Sequence, residues 1–250
     1  MKNKDLAVVL SKGALGAIPI VGPLMAEIVG YVVPNQRVER LERFLLALGS
    51  KIEGIDHNLL ADRFKREEVI DLLEDGMLLA SRAITDDRKD YIASVVAQGV
   101  KKEQLELIQE KTLLNILSEL NDVQVIMLNL FGIDDEGQED FFNQHIHVLS
   151  PPATSFSLNY EPYSDDEDAL EIYEAHKNHL LRLGLLKKEG EAPREGEPQK
   201  FDPENGRFVW QGLSMTHLGF MLLEAIGLYD PGPKLKRGAP ITRSRRQAEK

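Results

Sequence analysis

Residues 36–55 read QRVERLERFLLALGSKIEGI and hold the clearest periodic signal in the chain. Apolar side chains recur there at alternating steps of three and four residues, which places them along one stripe of an α-helix. The stripe consists of Val38, Leu41, Leu45, Leu48, Ile52 and Ile55. The opposite, wet face carries three arginines that are candidate interaction residues: Arg37, Arg40 and Arg43. The pattern predicts an amphipathic helix that buries its stripe against other helices.

The same periodicity continues downstream in a series of further helices. A second helix is expected over 66–84, because its apolar residues take the same steps: Ile70, Leu73, Met77, Ala80 and Ile84. Capping residues and glycines then mark a helix that ends at Gly99, another over 102–120 and a short apolar one that ends at Phe131. Connections this short are typical of a helical bundle.

The C-terminal part has a different order of elements. A helix is predicted over 166–183, followed by a strand over 183–187 and a polar excursion over 188–207. A second strand begins at residue 208, and the last helix runs to residue 228. Helix, strand, long turn, strand and helix are the plan of a small winged unit. Its candidate interaction residues are Trp210 and Thr216.

The predicted fold class is therefore mainly α, with an N-terminal helical bundle followed by a small winged-helix-like α+β unit. The bundle is expected over 1–132 and the winged unit over 166–229. A linker or long loop over 133–165 lies between them, marked by two prolines and an acidic run. Residues 230–250 form a basic tail that is predicted to be disordered.

Composition limits the functions that the chain can have. It contains no cysteine, which excludes disulfides and thiolate chemistry and favours a reducing, cytoplasmic location. The net charge of −11 disfavours most of the surface as a binder of nucleic acid or anionic lipid. The tail from Lys234 to Lys250 differs, since seven basic residues against one acid give it +6 and leave −17 on the body. Its candidate interaction residues are Arg243, Arg245 and Arg246.

Residues 6–33, which we call the apolar segment, read LAVVLSKGALGAIPIVGPLMAEIVGYVV. From residue 13 onward the only charge is Glu27, and the length is just sufficient for a bilayer, which needs about 20 apolar residues. The stretch 18–23, IPIVGP, holds two prolines, which break a helix. We therefore expect two short helices, over 3–16 and 23–33, joined by a tight turn.

Small residues in the apolar segment are spaced for close helix contact. Gly22, Ala26 and Gly30 fall four apart, on one face of the second short helix. Two roles remain open: a hairpin that is buried in the bundle, and a segment that assembles with other copies or enters a membrane. In the second role the protein would be located at the periphery of the inner membrane. A conditional form, hidden at rest and exposed on triggering, joins the two. The residues expected to matter are Gly13, Gly16, Pro19, Gly22, Pro23, Ala26, Glu27 and Gly30.

The motifs of catalysis and ligation are missing from the sequence. No carboxylate or cysteine pattern completes the pairs His145/His147 and His176/His179, so surface or capping histidines are expected and no metal site is predicted. There is no glycine-rich phosphate loop followed by Lys-Ser/Thr and no nucleophile elbow. We accordingly expect no catalytic residue and no cofactor, although acids from distant positions leave an enzyme open.

The winged unit raises DNA binding as an alternative. A helix that reads DNA needs basic residues for the phosphates. The helix predicted here instead begins with Asp165-Asp166-Glu167-Asp168, and the polar excursion carries Glu189, Glu191, Glu195 and Glu197. Its charge favours a protein partner over nucleic acid.

Two segments resemble the bacterial abortive-infection alpha family, over about residues 60–228. Residues 116–128, ILSELNDVQVIML, are similar to that family's leucine, small turn and short apolar helix. Residues 180–186, LLRLGLL, with 213–219, LSMTHLG, look like its closing half, although such pieces also occur in winged-helix regulators. The segments 13–34 and 188–207 have no counterpart in it.

The resemblance implies a role in antiphage defence and brings no catalytic residues with it, and the missing motifs predict that this role is non-enzymatic. Three hypotheses follow: an effector that assembles or acts on a membrane through the apolar segment, an adaptor that binds a protein through the acidic winged unit, and a DNA-binding regulator. The expected partners are another protein or a second copy of the chain. A membrane is an alternative, and nucleic acid is disfavoured.

Overall fold

A computed structural model describes residues 35–102, 107–150, 165–190 and 210–231. Of these, 74% are helical, which confirms the predicted mainly α class with a small α+β unit. In chain order the described elements are α1 (Asn35–Lys51), α2 (His57–Arg63), α3 (Glu67–Arg82), α4 (Asp86–Lys101), α5 (Leu107–Glu119), α6 (Asp122–Leu130), α7 (Asp135–Gln144), α8 (Ile146–Leu149), α9 (Asp165–Arg182), β1 (Leu186–Gly190), β2 (Trp210–Met215) and α10 (His217–Ala225).

Helix α1 lies at the centre of the bundle and packs against both α3 and α4. Its apolar stripe faces inward, with Leu41, Leu45, Leu48 and Ile52 buried. Phe44, which lies beside the predicted stripe, is also fully buried. Gly76 of α3 permits this packing, because a Cβ there would lie 2.6 Å from Val96 Cγ2 and 3.4 Å from Phe44 Cζ.

Ion pairs fix the direction of α1 relative to α4. Arg43 pairs with Asp86 at 2.8 Å, and eight residues later Lys51 pairs with Asp90 at 2.9 Å. The two helices therefore run in the same direction. The start of α1, where the apolar segment joins it, lies at the end of the bundle formed by the turn between α3 and α4.

The C-terminal unit has the predicted order of helix, strand, strand and helix. Strands β1 and β2 pair antiparallel, with Leu186 opposite Met215. The Thr216 hydroxyl accepts the Gly219 N–H at 3.1 Å as the N-cap of α10 and donates to the Gly184 carbonyl at 2.6 Å. One cluster of buried apolar side chains extends from α1 to α10.

The structure differs from the sequence prediction at several element boundaries. β1 begins at Leu186 because Gly184, with φ +71°, ends α9, where the Leu185 N–H bonds the Leu180 carbonyl at 3.0 Å. Residues 133–165, predicted as a linker or long loop, contain α7 and α8. Asp134 begins α7 by accepting the Gly137 N–H at 3.3 Å.

Ile84, which was predicted to belong to the buried stripe of α3, is 80% exposed. Helix α3 ends at Arg82, so the helical spacing no longer sets the direction of the Ile84 side chain. Across the four described ranges, no helix is both long and apolar enough to cross a bilayer. The apolar segment, most of the excursion over 188–207 and the basic tail lie outside those ranges.

A buried ion pair joins the end of α4 to α5. Glu110 is fully buried, and its Oε1 accepts from Lys102 Nζ at 2.5 Å. The Glu110 Oε2 atom is buried without a hydrogen-bond partner among the described residues. Loss of the lysine would leave a buried carboxylate with no compensating charge, and such losses are strongly destabilising.

We expect Lys102→Met to lower the free energy of unfolding by about 3 kcal/mol, at the low end for a buried pair because the lysine is 22% exposed. Urea denaturation measures the change, and Lys101→Met, at an exposed neighbouring lysine, is the control. The double variant Lys102→Met/Glu110→Leu should recover most of the loss. Equal effects at Lys101 and Lys102 would show that the pair contributes little.

Candidate binding site at the turn between α3 and α4

The turn of residues 83–85 between α3 and α4 is held by cationic side chains. Arg40 of α1 donates to the carbonyls of Ser81 and Arg82 at 3.3 and 3.4 Å, at the negative end of the α3 dipole. Lys89, which is almost fully buried, donates to the Ile84 carbonyl at 3.2 Å and to Asp86 at 2.7 Å. The turn is therefore fixed from both sides.

Asp86 carries charge at the start of α4. Hydrogen bonds from Lys89 and then from Arg43 hold the pKa of Asp86 below its usual range. The carboxylate stabilises the fold at neutral pH, and this contribution is lost as the pH falls through the lowered pKa. Arg40 and Arg43, two predicted interaction residues, thus make intramolecular contacts that position the turn.

Arg88 connects this turn to the junction between α5 and α6. Its Nη2 donates to the carbonyls of Leu117 and Leu120, which lie at the C-terminal end of α5. Its neighbour Thr85 accepts the Arg88 N–H at 3.3 Å and donates to Asp122 at 2.9 Å. Burial lowers the pKa of Arg88, and the charge of Asp122 opposes that effect. Residues of three helices thus meet at one buried guanidinium.

A cavity of about 210 Å³ lies beside Arg88. Its polar lining comes from Arg82, Arg88 and Ser118. The remaining wall is apolar and is formed by Leu79, Ala83, Ile92 and Leu117. Ile84, the next residue after Ala83 in the chain, is exposed and is not part of this lining.

The C-terminal unit packs against the same α5–α6 junction through α9. Asn121 and Gln124 form the capping box of α6. The amide of Gln124 lies 2.8 Å from His179 Nδ1, and that of Asn121 lies 3.5 Å from His176 Nδ1. Both histidines of this pair therefore have a polar neighbour in the capping box of α6.

The other histidine pair is not brought together as a ligand set. His145 Nδ1 lies 3.0 Å from the Phe141 carbonyl, at the C-terminal end of α7, and His147 is exposed. Within the part of the chain that the structure describes, no group of three or more histidine, aspartate or glutamate side chains is arranged to hold a metal ion.

The remaining sequence predictions fall in different places. Thr216 makes the capping contacts of α10, and Trp210 is the first residue of β2, opposite Gly190. Arg37 belongs to α1, and its side chain lies outside the described part. Also outside the described residues are Gly13, Gly16, Pro19, Gly22, Pro23, Ala26, Glu27, Gly30, Arg243, Arg245 and Arg246.

Sequence reasoning missed the cavity and the role of Arg88. Arg88 follows a predicted N-cap, where an exposed arginine is the ordinary expectation, and its partners lie about 30 residues further on. Residue spacing carries no signal for such a contact. No protein-family model, no curated protein and no solved structure matches the chain, so the resemblance to the abortive-infection alpha family stays a prediction.

Proposed function

We propose that the protein is a non-enzymatic effector of the antiphage-defence type, which acts by binding and assembly through the apolar segment. The observation that carries this proposal is the position of α1. It begins at Asn35, directly after Pro34, and is packed into the core by Leu41, Phe44 and Leu48, all fully buried. The bundle is therefore packed around the helix that directly follows the apolar segment in the chain.

The end of the bundle where the segment attaches supports the same proposal. Arg40 reaches the last carbonyls of α3, so the start of α1 lies near the turn between α3 and α4. That end exposes Ile84, and Leu78, six residues earlier and within α3, is 50% exposed. The free energy falls when a partner covers apolar side chains that are otherwise in contact with water.

A role in assembly explains the composition of the segment. In the helix that the sequence predicts here, the spacing of Gly22, Ala26 and Gly30 would give a small-residue face that lets another helix approach closely. Glu27 is costly in lipid unless it faces a partner or water. Several copies that pack through the small face can turn their glutamates toward a shared aqueous interior.

The test is expression of the intact chain and of Gly22→Leu in cells, with viability and membrane potential followed together. The bulky side chain should block close packing, so the intact chain should arrest growth and depolarise the membrane while Gly22→Leu does neither. Gly212→Leu is the matched control, because Gly212 is exposed and a Cβ there would meet nothing within 4 Å.

Two results would contradict the proposal. One is growth arrest by Gly22→Leu at the level of the intact chain. The other is an intact chain, accumulated as a folded protein, that changes neither viability nor potential. The viability and membrane potential of cells that express Glu27→Lys are compared with those of cells that express Glu53→Lys, at an exposed position before α2. This comparison separates a membrane role from assembly in solution.

The adaptor is the second candidate, and an exposed apolar residue on α9 favours it. Ile172 is 58% exposed, and its neighbours on that face include Asp168 and Glu171, which are also exposed. An acidic face with one apolar side chain suits a basic protein partner. If Ile172→Glu abolishes activity while Gly22→Leu leaves it intact, the adaptor replaces the effector. The acidic start of α9 disfavours the third alternative, DNA binding.

A further inference from the structure

Two histidines of α9 lie against side-chain amides whose orientation is fixed by the backbone. In the capping box of α6, the Asn121 Oδ1 accepts the Gln124 N–H at 2.8 Å and the Gln124 Oε1 accepts the Asn121 N–H at 3.0 Å. Both amide oxygens are therefore used by the backbone, and the two NH2 groups remain for α9. Gln124 Nε2 lies 2.8 Å from His179 Nδ1, and Asn121 Nδ2 lies 3.5 Å from His176 Nδ1.

This geometry sets the position of the proton on His179. An amide NH2 group can only donate, so His179 Nδ1 must accept and the proton of the neutral ring must be on Nε2. A protonated ring carries a proton on both nitrogens, and two donors would then face each other across 2.8 Å. Rotating the Gln124 amide by half a turn gives no relief, because its NH2 group would then face the Asn121 N–H.

The start of α6 also disfavours a positive charge at His179. The N-terminal end of a helix carries a partial positive charge, which repels a cation placed beside it. Asp122 is the only charged residue among the nine of α6. Its Oδ2 accepts from Thr85 at 2.9 Å and its Oδ1 lies 3.9 Å from Arg88 Nη1, so its charge is directed toward the bundle.

The other charged groups around this contact are paired or lie at the surface. Helix α9 packs against α6 and β1. The charged residues of β1 are Lys187 and Lys188, which are exposed, and Glu189, which is half-buried. Those of α9 closest in sequence to His179 form two ion pairs: Glu174 with Lys177 at 2.7 Å and Arg182 with Glu119 at 3.3 Å. Glu174 and Glu119 thus already have cationic partners.

We infer that His179 makes a pH-sensitive contact, which holds α9 on α6 while the ring is neutral and weakens that attachment when the ring is protonated. Histidine is the side chain whose charge ordinarily changes between about pH 5 and 8. The stabilising contact is therefore present at the upper end of this range and is lost as the pH falls. His176, which lies one turn earlier on α9, acts in the same direction. The inference does not depend on the proposed function, because it does not involve the apolar segment.

Imidazole nitrogen NMR shifts of the full-length protein at about pH 8 test the proton position. We expect His179 to be protonated on Nε2 and unprotonated on Nδ1. Gln124→Glu keeps the capping box, which accepts either residue, but places a carboxylate oxygen against the ring. His179 should then carry a proton on Nδ1. A proton on Nδ1 in the unaltered protein, or a bare Nδ1 in Gln124→Glu, would overturn the inference.

Amide hydrogen exchange, corrected for intrinsic rates, tests the attachment of α9 at about pH 8 and about pH 5. Relative to α1, protection of α9 should fall about tenfold at the lower pH, the equivalent of one lost hydrogen bond. His179→Asn offers an amide oxygen that accepts from Gln124 without titrating, so it should show no fall. In Gln124→Glu, protection should rise instead, because a carboxylate bonds a protonated ring strongly.

His57→Asn is the matched control, since His57 is an exposed histidine of α2 and its replacement should leave the fall unchanged. The inference fails if the unaltered protein shows no fall, if His179→Asn falls as the unaltered protein does, or if Gln124→Glu loses protection at the lower pH. The proton position in the unaltered protein needs no variant, so the test holds even where a variant does not fold.

Discussion

Replacing Phe44 by alanine is expected to lower the free energy of unfolding by about 3–5 kcal/mol, the usual cost of removing a buried phenylalanine. Phe44 is fully buried, with 0% of its surface exposed. Its ring lies where α1 crosses α3 and α4, next to Gly76. These three helices are held together by a close approach, so the space that alanine leaves cannot be filled by a small shift.

Urea denaturation at neutral pH measures this effect. Leu46→Ala is the matched control, because Leu46 lies two residues further along α1 and is 57% exposed. Its loss should change the free energy of unfolding by no more than about 0.5 kcal/mol. Comparable losses of unfolding free energy for the two variants would mean that α1 is not packed into the core as described.

The periodicity of residues 36–55 was sufficient to place α1 in the core. All six predicted stripe residues are buried or half-buried. Phe44 lies three residues after Leu41 and four before Leu48, so it also fits the helical spacing. It was missed because a single stripe was drawn through Leu45, whereas a helix buried between two neighbours hides more than one stripe. Ile84 shows the opposite error, since the apparent period continued past the residue where α3 ends.

Long-range polar contacts could not be predicted from the sequence. Arg40 and Arg43 were assigned to the wet face of α1, and the Arg43 side chain is indeed 59% exposed. Their partners in α3 and α4 lie about 40 residues further along the chain, so the spacing within α1 could not predict them. The burial of Glu110 beside Lys102 gave no signal either, since both residue types are ordinarily exposed. Arg88 and its cavity depend on three chain segments that meet only in the folded protein.

These contacts bear directly on the proposed effector. Arg40 and Arg43 tie α1, the helix that follows the apolar segment in the chain, to the turn between α3 and α4. In the proposed effector the bundle is the folded part of the molecule, and the apolar segment makes the assembly contacts.

Removal of residues 6–33 is expected to abolish assembly and leave the bundle folded. The described core of α1, α3 and α4 contains many side chains after Asn35, of which Phe44, Leu73 and Val96 are all almost fully buried. The small-residue face at Gly22, Ala26 and Gly30 would be absent from the shortened chain. The deletion therefore distinguishes a segment that is used for assembly from a hairpin that is buried in the core.

Sedimentation velocity of the intact and shortened chains distinguishes these roles in one measurement, because it reports both mass and shape. We predict an oligomer for the intact 28.1 kDa chain and a single compact monomer after the deletion. An expanded or aggregated shortened chain would instead place the segment in the core, and an unchanged oligomer would place the assembly surface elsewhere.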